Sequence, residues 1–190
     1  MKQLKILKNQ KSSYGGELLK TRKGRAHSRP LAVRSTMHLV LRSTKAKGEW
    51  SFRRGKNPNH VKRIVKKFAD KYGVQIYALA NVGNHIHFHI KLSNRHTYAP
   101  FIRAVTAAIS IAVTGASRIR PLKKSAKDRF WDCRPFSRIV ESFKGFLKMR
   151  DYVRINQLEG DGYPRDVARI ILMEERSQAA RLDSSPDCSS

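Results

Sequence analysis

Three imidazoles in five positions are the chemistry most plainly written into this chain: "ANVGNHIHFHIKL", residues 80–92, places His85, His87 and His89 at alternate positions. In an extended strand, residues two apart share a face. These histidines and Lys91 therefore form one side, and Ile86, Phe88, Ile90 and Leu92 the other. His85 and His87 would stand about 6.5–7 Å apart at the backbone, a span that two imidazole arms can close onto one divalent cation. A solvated face is built more simply from Thr, Lys or Glu. Three histidines in register on one face instead predict a ligand pair. His38, His60 and His96 are isolated in the sequence and are expected to be structural or solvated.

Two imidazoles leave coordination positions open, and the polar side of the strand needs a cover. The candidate is "SFKGFLKMRDYVRINQLEG", residues 142–160, read as a helix from about Ser142 to Gln157. Phe143, Phe146 and Leu147 make its apolar stripe. At about 100° per residue, Tyr152 falls roughly opposite Phe143, with Asn156 one turn further on the same side. A phenol and an amide at i and i+4, turned away from the stripe, could bring a nucleophile and a metal ligand to one point.

Such residues need a scaffold, and the periodicities predict one. "TMHLVLRS" (36–43) and "GEWSFRR" (48–54) read as two strands around a Lys/Gly turn, a first hairpin. Asn57 is placed to cap a helix and Pro58 suits its first turn. Val61, Ile64, Val65, Phe68 and Tyr72 form its apolar stripe, and Gly73 ends it. Lys62, Arg63, Lys66, Lys67 and Lys71 on its outer faces make either a solvated surface or a phosphate track. "VQIYALA" (74–80) and "HIHFHIKL" (85–92), joined by "NVGN", both alternate and predict a second hairpin. A helix from about Pro100 to Thr114 carries Phe101, Val105, Ala108, Ile109 and Ala112 on one side and stops at Gly115. After the basic loop "SRIRPLKKSAKDR", the segment "FWDCRPFSRIV" holds an edge strand near 136–140, ahead of the tyrosine helix. The order begins ββαββα, and the class is α+β with an antiparallel sheet.

Charge selects the partner. With 190 residues the chain suits one domain with tails, and 40 Lys and Arg against 14 Asp and Glu leave +26. Solubility requires far less, so the natural partner is a polyanion, nucleic acid ahead of an anionic membrane surface. No membrane span is expected, since "AVTAAISIAVTGAS" (104–117) falls short of the roughly 20 apolar residues needed and reads as a buried helix. The start, "MKQLKILKNQKSSYGG", lacks the apolar core of a secretory signal. Only Cys133 and Cys188 are present, in no CxxC, so reduced thiols and a cytoplasmic location are expected. Residues 1–29 read as a flexible basic arm, either solvated or laid along phosphates. Residues 164–190 read as a frayed helix followed by disorder, with an acidic lean that argues against DNA contact.

At these residues the chain resembles a family. "NHIHFHI" is similar to the His-hydrophobic-His (HUH) signature of the single-tyrosine, IS200-like transposases, whose bacterial members include REP-associated tyrosine transposases. "DYVRINQLEG" resembles their nucleophile helix, and "FWDCRPFSRIV" the segment between. The likeness runs from about Pro30 to Gly162, and the paired motifs in the right order are more specific than either alone.

The resemblance implies a ferredoxin-like or RRM-like antiparallel sheet whose HUH face is covered by the tyrosine helix, in a catalytic domain over residues 30–163. It implies Tyr152 as nucleophile, His85, His87 and Asn156 as metal ligands, and Mg2+ or Mn2+ as cofactor. The substrate would be single-stranded DNA next to a hairpin, cleaved through a 5′-phosphotyrosine, with the protein a monomer or a homodimer near the bacterial nucleoid. His89, where relatives are usually apolar, and Lys148 are accessory candidates. Arg53, Arg54, Lys56, Lys123, Lys124 and Lys148 are candidate phosphate contacts. Trp50, Phe130, Trp131 and Tyr163 either stack bases or pack the core. Gln157 stands where many relatives have proline. Two other classes fit the same composition: a basic nucleic-acid-binding module without catalysis, and a nuclease that forms no covalent intermediate.

Overall fold

Alternation decides the sheet. In a computed structural model, which describes residues 13–16, 29–116, 129–132 and 134–183, the elements are β1 (Ser13–Tyr14), β2 (Thr36–Arg42), α1 (Asn57–Tyr72), β3 (Val74–Asn81), β4 (His85–Leu92), α2 (Tyr98–Thr114), β5 (Phe136–Val140), α3 (Phe143–Gly160) and α4 (Arg165–Asp183). The strands form one five-stranded sheet in the order β1-β5-β2-β4-β3, with every pairing antiparallel. From β2 to β5 the chain runs βαββαβ, the ferredoxin-like topology.

One face of the sheet is apolar. Met37, Leu39 and Leu41 of β2 and Ile86, Phe88, Ile90 and Leu92 of β4 are buried there beneath α1 and α2. Helix α1 contributes Val61, Val65 and Ala69, and α2 contributes Phe101, Val105, Ile109 and Val113. Gly73 ends α1 with φ +61°, a left-handed conformation that glycine adopts without a Cβ clash. By length and composition the stretch Arg95–Thr114 does reach the threshold for a membrane span, contrary to the expectation above, and its Phe101, Val105 and Ile109 are packed in this core. Phe88 is fully buried at the centre of the sheet. Phe88→Ala is expected to destabilise the fold by about 3–5 kcal/mol in urea unfolding, and a loss under about 1 kcal/mol would mean that the core is not built around it.

Several expectations are corrected. Residues 48–54 are no strand, and the first hairpin is absent. Gly48–Trp50 forms a short 3-10 turn, and Phe52 docks on the β3–β4 turn, with its N–H donating to the Gly83 carbonyl (2.8 Å) and its carbonyl accepting from Asn81 Nδ2 (2.7 Å). Both edges of β2 are already taken, by β4 and β5, so the local alternation finds no partner. Asn57 does not cap α1. The cap position is Lys56, and the Asn57 amide donates to the carbonyls of Glu49 and Ser51. Strand β5 is not at the sheet edge, because Ser13–Tyr14 pairs with it.

Of the stretch 1–29, read as a flexible basic arm, the described residues are joined to the sheet at two points. Besides β1, Arg29 donates to Ser137 Oγ and to the Pro135 carbonyl and lies over the Tyr14 ring at 4.4 Å. The helix expected at the start of the tail is α4, and rather than fraying it is tied to α3 by Arg154–Glu175 and Arg176–Asp151 pairs. Lys123, Lys124, Cys133 and Cys188, and the expected disorder after residue 183, lie outside the described residues.

Candidate active site

The second face of the sheet is polar and carries four histidines. β4 supplies His85, His87 and His89, and β2 supplies His38, which pairs opposite His89 while Val40 pairs opposite His87. Helix α3 covers this face. Small residues let it approach, because Ala78 and Ala80 oppose His89 and His87 on β3. At the far end of the helix a Cβ on Gly160 would come within 2.7 Å of the Asn81 carbonyl oxygen. Ser142 opens the helix, its side chain accepting from the Gly145 N–H at 3.0 Å. At the other end Gln157 ties it to β3: Oε1 accepts from the Asn81 N–H (2.8 Å) and Nε2 donates to Asp161 Oδ1 (3.0 Å). The glutamine in place of proline therefore extends and anchors the helix.

Tyr152 is brought to the histidines. Its ring centroid lies 5.6 Å from both His38 and His87, at 84° to each, and the residue is 38% exposed. Asn156, one turn on, is buried and its Nδ2 donates to the Tyr152 carbonyl (2.7 Å), which leaves Oδ1 as the atom able to meet a cation. His85 and His87 rings lie 4.8 Å apart.

The nitrogens are sorted by their partners. His85 Nδ1 sits 2.6 Å from Asn84 Oδ1, an oxygen that can only accept, so Nδ1 carries the proton and Nε2 is a lone pair. His87 Nδ1 lies 3.0 Å from His38 Nε2, and His87 Nε2 is buried with no partner at all. An orphaned, buried imidazole nitrogen on a ring 4.8 Å from a second imidazole suits a divalent cation, and the Asn156 amide oxygen, on the helix turn after Tyr152, is a further donor of the right chemistry. Among the described residues no three of His, Cys, Asp and Glu form a metal-holding group, so the candidate set is two imidazoles and an amide.

Burial keeps the rings neutral. It pushes His87 down to about 3, with His38 and His85 adding repulsion, and His38 down to about 4, with help from His89 and Arg138. His89 is likewise lowered to about 4 by burial and by Arg150, and His85 is lowered by burial and Arg42. The unfolded chain titrates these rings near 6.5, so between that pH and about 4 it binds protons that the fold excludes. Stability of the metal-free protein is therefore expected to fall as pH drops below about 6.5, by on the order of a few kcal/mol at pH 4. Thermal unfolding across pH 7.5–4 checks this, and a flat profile would show that the rings are not buried as described.

The other predicted residues are placed as follows. His89 is fully buried beneath Phe146 (4.8 Å) and Tyr77 (5.6 Å), with Nε2 on Thr36 Oγ1 (2.8 Å) and Nδ1 unpartnered. Lys148 is exposed one turn before Tyr152. Arg54 and Lys56 are exposed, with Arg54 paired to Glu49 at 3.2 Å. Arg53 is committed within the protein, donating to the Asn81 carbonyl (2.8 Å) and Asp161 (2.6 Å). Phe130 and Trp131 pack on Phe52, whereas Trp50 and Tyr163 are exposed.

The predicted apolar stripe of the helix is corrected. Phe143 is 75% exposed, and Val153, Asn156 and Leu158 are the buried positions. Phe146 of that stripe does meet the sheet, against Tyr77 and His89, and another side of α3 is given to α4. His38, expected to be structural or solvated, is instead buried in this cluster, in contact with His87 and Tyr152. The signal was present in "TMHLVLRS", whose alternation groups Thr36, His38 and Arg42 on one face, but the pairing of β2 with β4 was needed to use it.

A family model described as "Transposase IS200 like" matches residues 32–156, a span that contains both the histidine strand and Tyr152. Among solved structures the chain is similar to a REP-associated tyrosine transposase bound to a REP hairpin, with a TM-score of 0.56 and 15% identity over 76% of this chain and 86% of that one. A crystal structure of a candidate transposase from Deinococcus radiodurans R1 aligns with a TM-score of 0.41 and 14% identity, over 71% of this chain and 97% of that one. No curated protein matches the chain in sequence.

Proposed function

The chain belongs to the IS200-like transposase family, and we propose that it cleaves and rejoins single-stranded DNA through a transient covalent bond to Tyr152. The observation that carries this reading is the seat of Tyr152, equidistant at 5.6 Å from His38 and His87 and open to solvent. A buried packing tyrosine would be closed to DNA. This one stands beside the orphaned nitrogen of His87 and the Asn156 amide.

The reaction balances without an outside energy source. Tyr152 Oη bonds to phosphorus as the P–O3′ bond breaks; the phenol loses its proton and the 3′-oxygen gains one. The products are a 5′-phosphotyrosine and a free 3′-hydroxyl. Attack by a 3′-hydroxyl on the phosphotyrosine reverses the step and joins strands. A divalent cation, magnesium or manganese, held by His85, His87 and Asn156 would polarise the scissile phosphate and offset the charge that develops on it. His85 and His87, kept neutral by burial, present lone pairs for that purpose. The Gln157 and Ser142 anchors of α3 fix the helix that carries the phenol, and the exposed Lys148, Lys56 and Arg54 attract the backbone.

The DNA is read as single-stranded and hairpin-adjacent, in keeping with the REP hairpin held by the similar transposase. A cytoplasmic protein acting on nucleoid DNA follows from that substrate. The test is denaturing-gel trapping of the full chain on labelled hairpin DNA with manganese or EDTA. A metal-dependent band that survives denaturation is expected. Cut ends without the band would indicate a nuclease lacking a covalent step, and binding without either would indicate a non-catalytic module.

A further inference from the structure

We propose that His38, which belongs to no motif and is not in the ligand set, is the positioning residue that presents His87 Nε2 to the cation and seats Tyr152. The inference rests on the metal-site reading above. Its geometry is unusually constrained. The His38 and His87 rings are inclined by only 1°, with centroids 5.3 Å apart and a nitrogen–nitrogen contact of 3.0 Å. With C–N bonds of about 1.33 Å, each ring nitrogen lies about 1.1 Å from its ring centre. Two such radii added to the 3.0 Å contact reproduce the centroid separation of 5.3 Å. The rings are therefore coplanar and edge to edge, joined by a straight hydrogen bond rather than packed face to face.

A straight bond between two neutral imidazoles has one proton and two directions. If His38 donated, His87 would carry its own proton on Nε2, a buried N–H with no acceptor. If His87 donates from Nδ1, Nε2 becomes a bare lone pair on the side of the ring turned away from His38. The second direction removes the buried orphan donor and is the one that fits a cation. His38 thus does for His87 what Asn84 Oδ1 does for His85.

Tyr152 uses the same pair. Its ring is equidistant from both imidazoles and at 84° to each, so it straddles the seam of the hydrogen bond. Rotating His38 out of the plane would tilt His87 and unseat the phenol together.

The test uses the metal-free full chain, its His38→Gln variant, which keeps an acceptor, and His38→Leu, which keeps bulk alone. Long-range 1H–15N spectra read the tautomer of His87. Wild type and His38→Gln are expected to hold the proton on Nδ1, and His38→Leu to show mixed tautomers. Manganese affinity by calorimetry is expected to fall about 10-fold or more in His38→Leu and to stay within about 3-fold of wild type in His38→Gln. A wild-type proton on Nε2, or a folded His38→Leu with unchanged tautomer and affinity, overturns the proposal. If His38→Leu does not fold, the wild-type tautomer and the His38→Gln comparison still decide it. Failure of manganese to bind wild type sinks the metal site instead, while the spectra continue to decide the role of His38.

Discussion

Tyr152→Phe is expected to abolish the covalent DNA adduct and to lower strand cleavage by at least about 1,000-fold, because it deletes the one atom that bonds to phosphorus. The rest of the molecule should hardly notice. Tyr152 is 38% exposed and its ring packs nearly perpendicular to those of His38 and His87, contacts that phenylalanine keeps. Stability is expected to change by less than about 0.5 kcal/mol. Affinity for single-stranded DNA should stay within about twofold, since binding draws on the overall +26 charge rather than on one hydroxyl. The comparison is trapping, melting temperature and filter binding on the same preparations. An adduct that persists in the variant would place the nucleophile elsewhere, and a variant that also loses DNA binding or unfolds would make Tyr152 structural.

His87→Ala is expected to lower manganese affinity more than about 100-fold and to eliminate cleavage, whereas His89→Leu leaves both near wild type. The two histidines look equivalent in "HIHFHI" but occupy different surroundings. His87 offers a buried, unpartnered Nε2 beside His85 and Tyr152. His89 has its Nε2 on Thr36 and lies under Phe146 and Tyr77, so its loss is a packing event within the sheet–helix interface. His85→Ala separates ligation from stability. His85 is only half-buried, so its removal should weaken manganese binding as His87→Ala does while disturbing the fold less. Calorimetry with manganese and thermal unfolding on the three variants distinguish these outcomes. Equal loss of metal affinity in His87→Ala and His89→Leu would mean that the site is centred further along β4.

Low pH should act on the same face from another direction. Protonation of His38, His87 and His89 opposes the fold before any metal is considered, because each ring is held neutral by burial. Stability and metal occupancy are thus expected to decline together on acidification.

Much of this was legible in the sequence, for a definite reason. Periodicity is a local property, so strict alternation in residues 85–92 assigned the histidines to one face and Ile86, Phe88, Ile90 and Leu92 to the core before any fold was known. The i and i+4 spacing of Tyr152 and Asn156 likewise guaranteed that they share a side of whatever helix carried them. Gly73 and Gly115 marked helix ends because a left-handed residue is cheap only without a Cβ. The net charge of +26 pointed to a polyanionic partner whatever the topology.

Tertiary structure decided what depends on two distant segments at once. Residues 48–54 alternate like a strand, but β4 and β5 occupy both edges of β2, and Phe52 packs on the β3–β4 turn instead. The rotation of α3 about its own axis could not be taken from its apolar residues. It is set by Ala78, Ala80 and Gly160, which allow close approach, and by the Gln157 tie to Asn81, and the result leaves Phe143 in solvent. His38 became part of the site only through the register of β2 against β4, which brings two rings 49 residues apart into one plane. A chain's own pattern says which side each residue takes. Which other residue it meets there is fixed by strand register and helix rotation, and those are settled by packing between segments that are not neighbours in sequence.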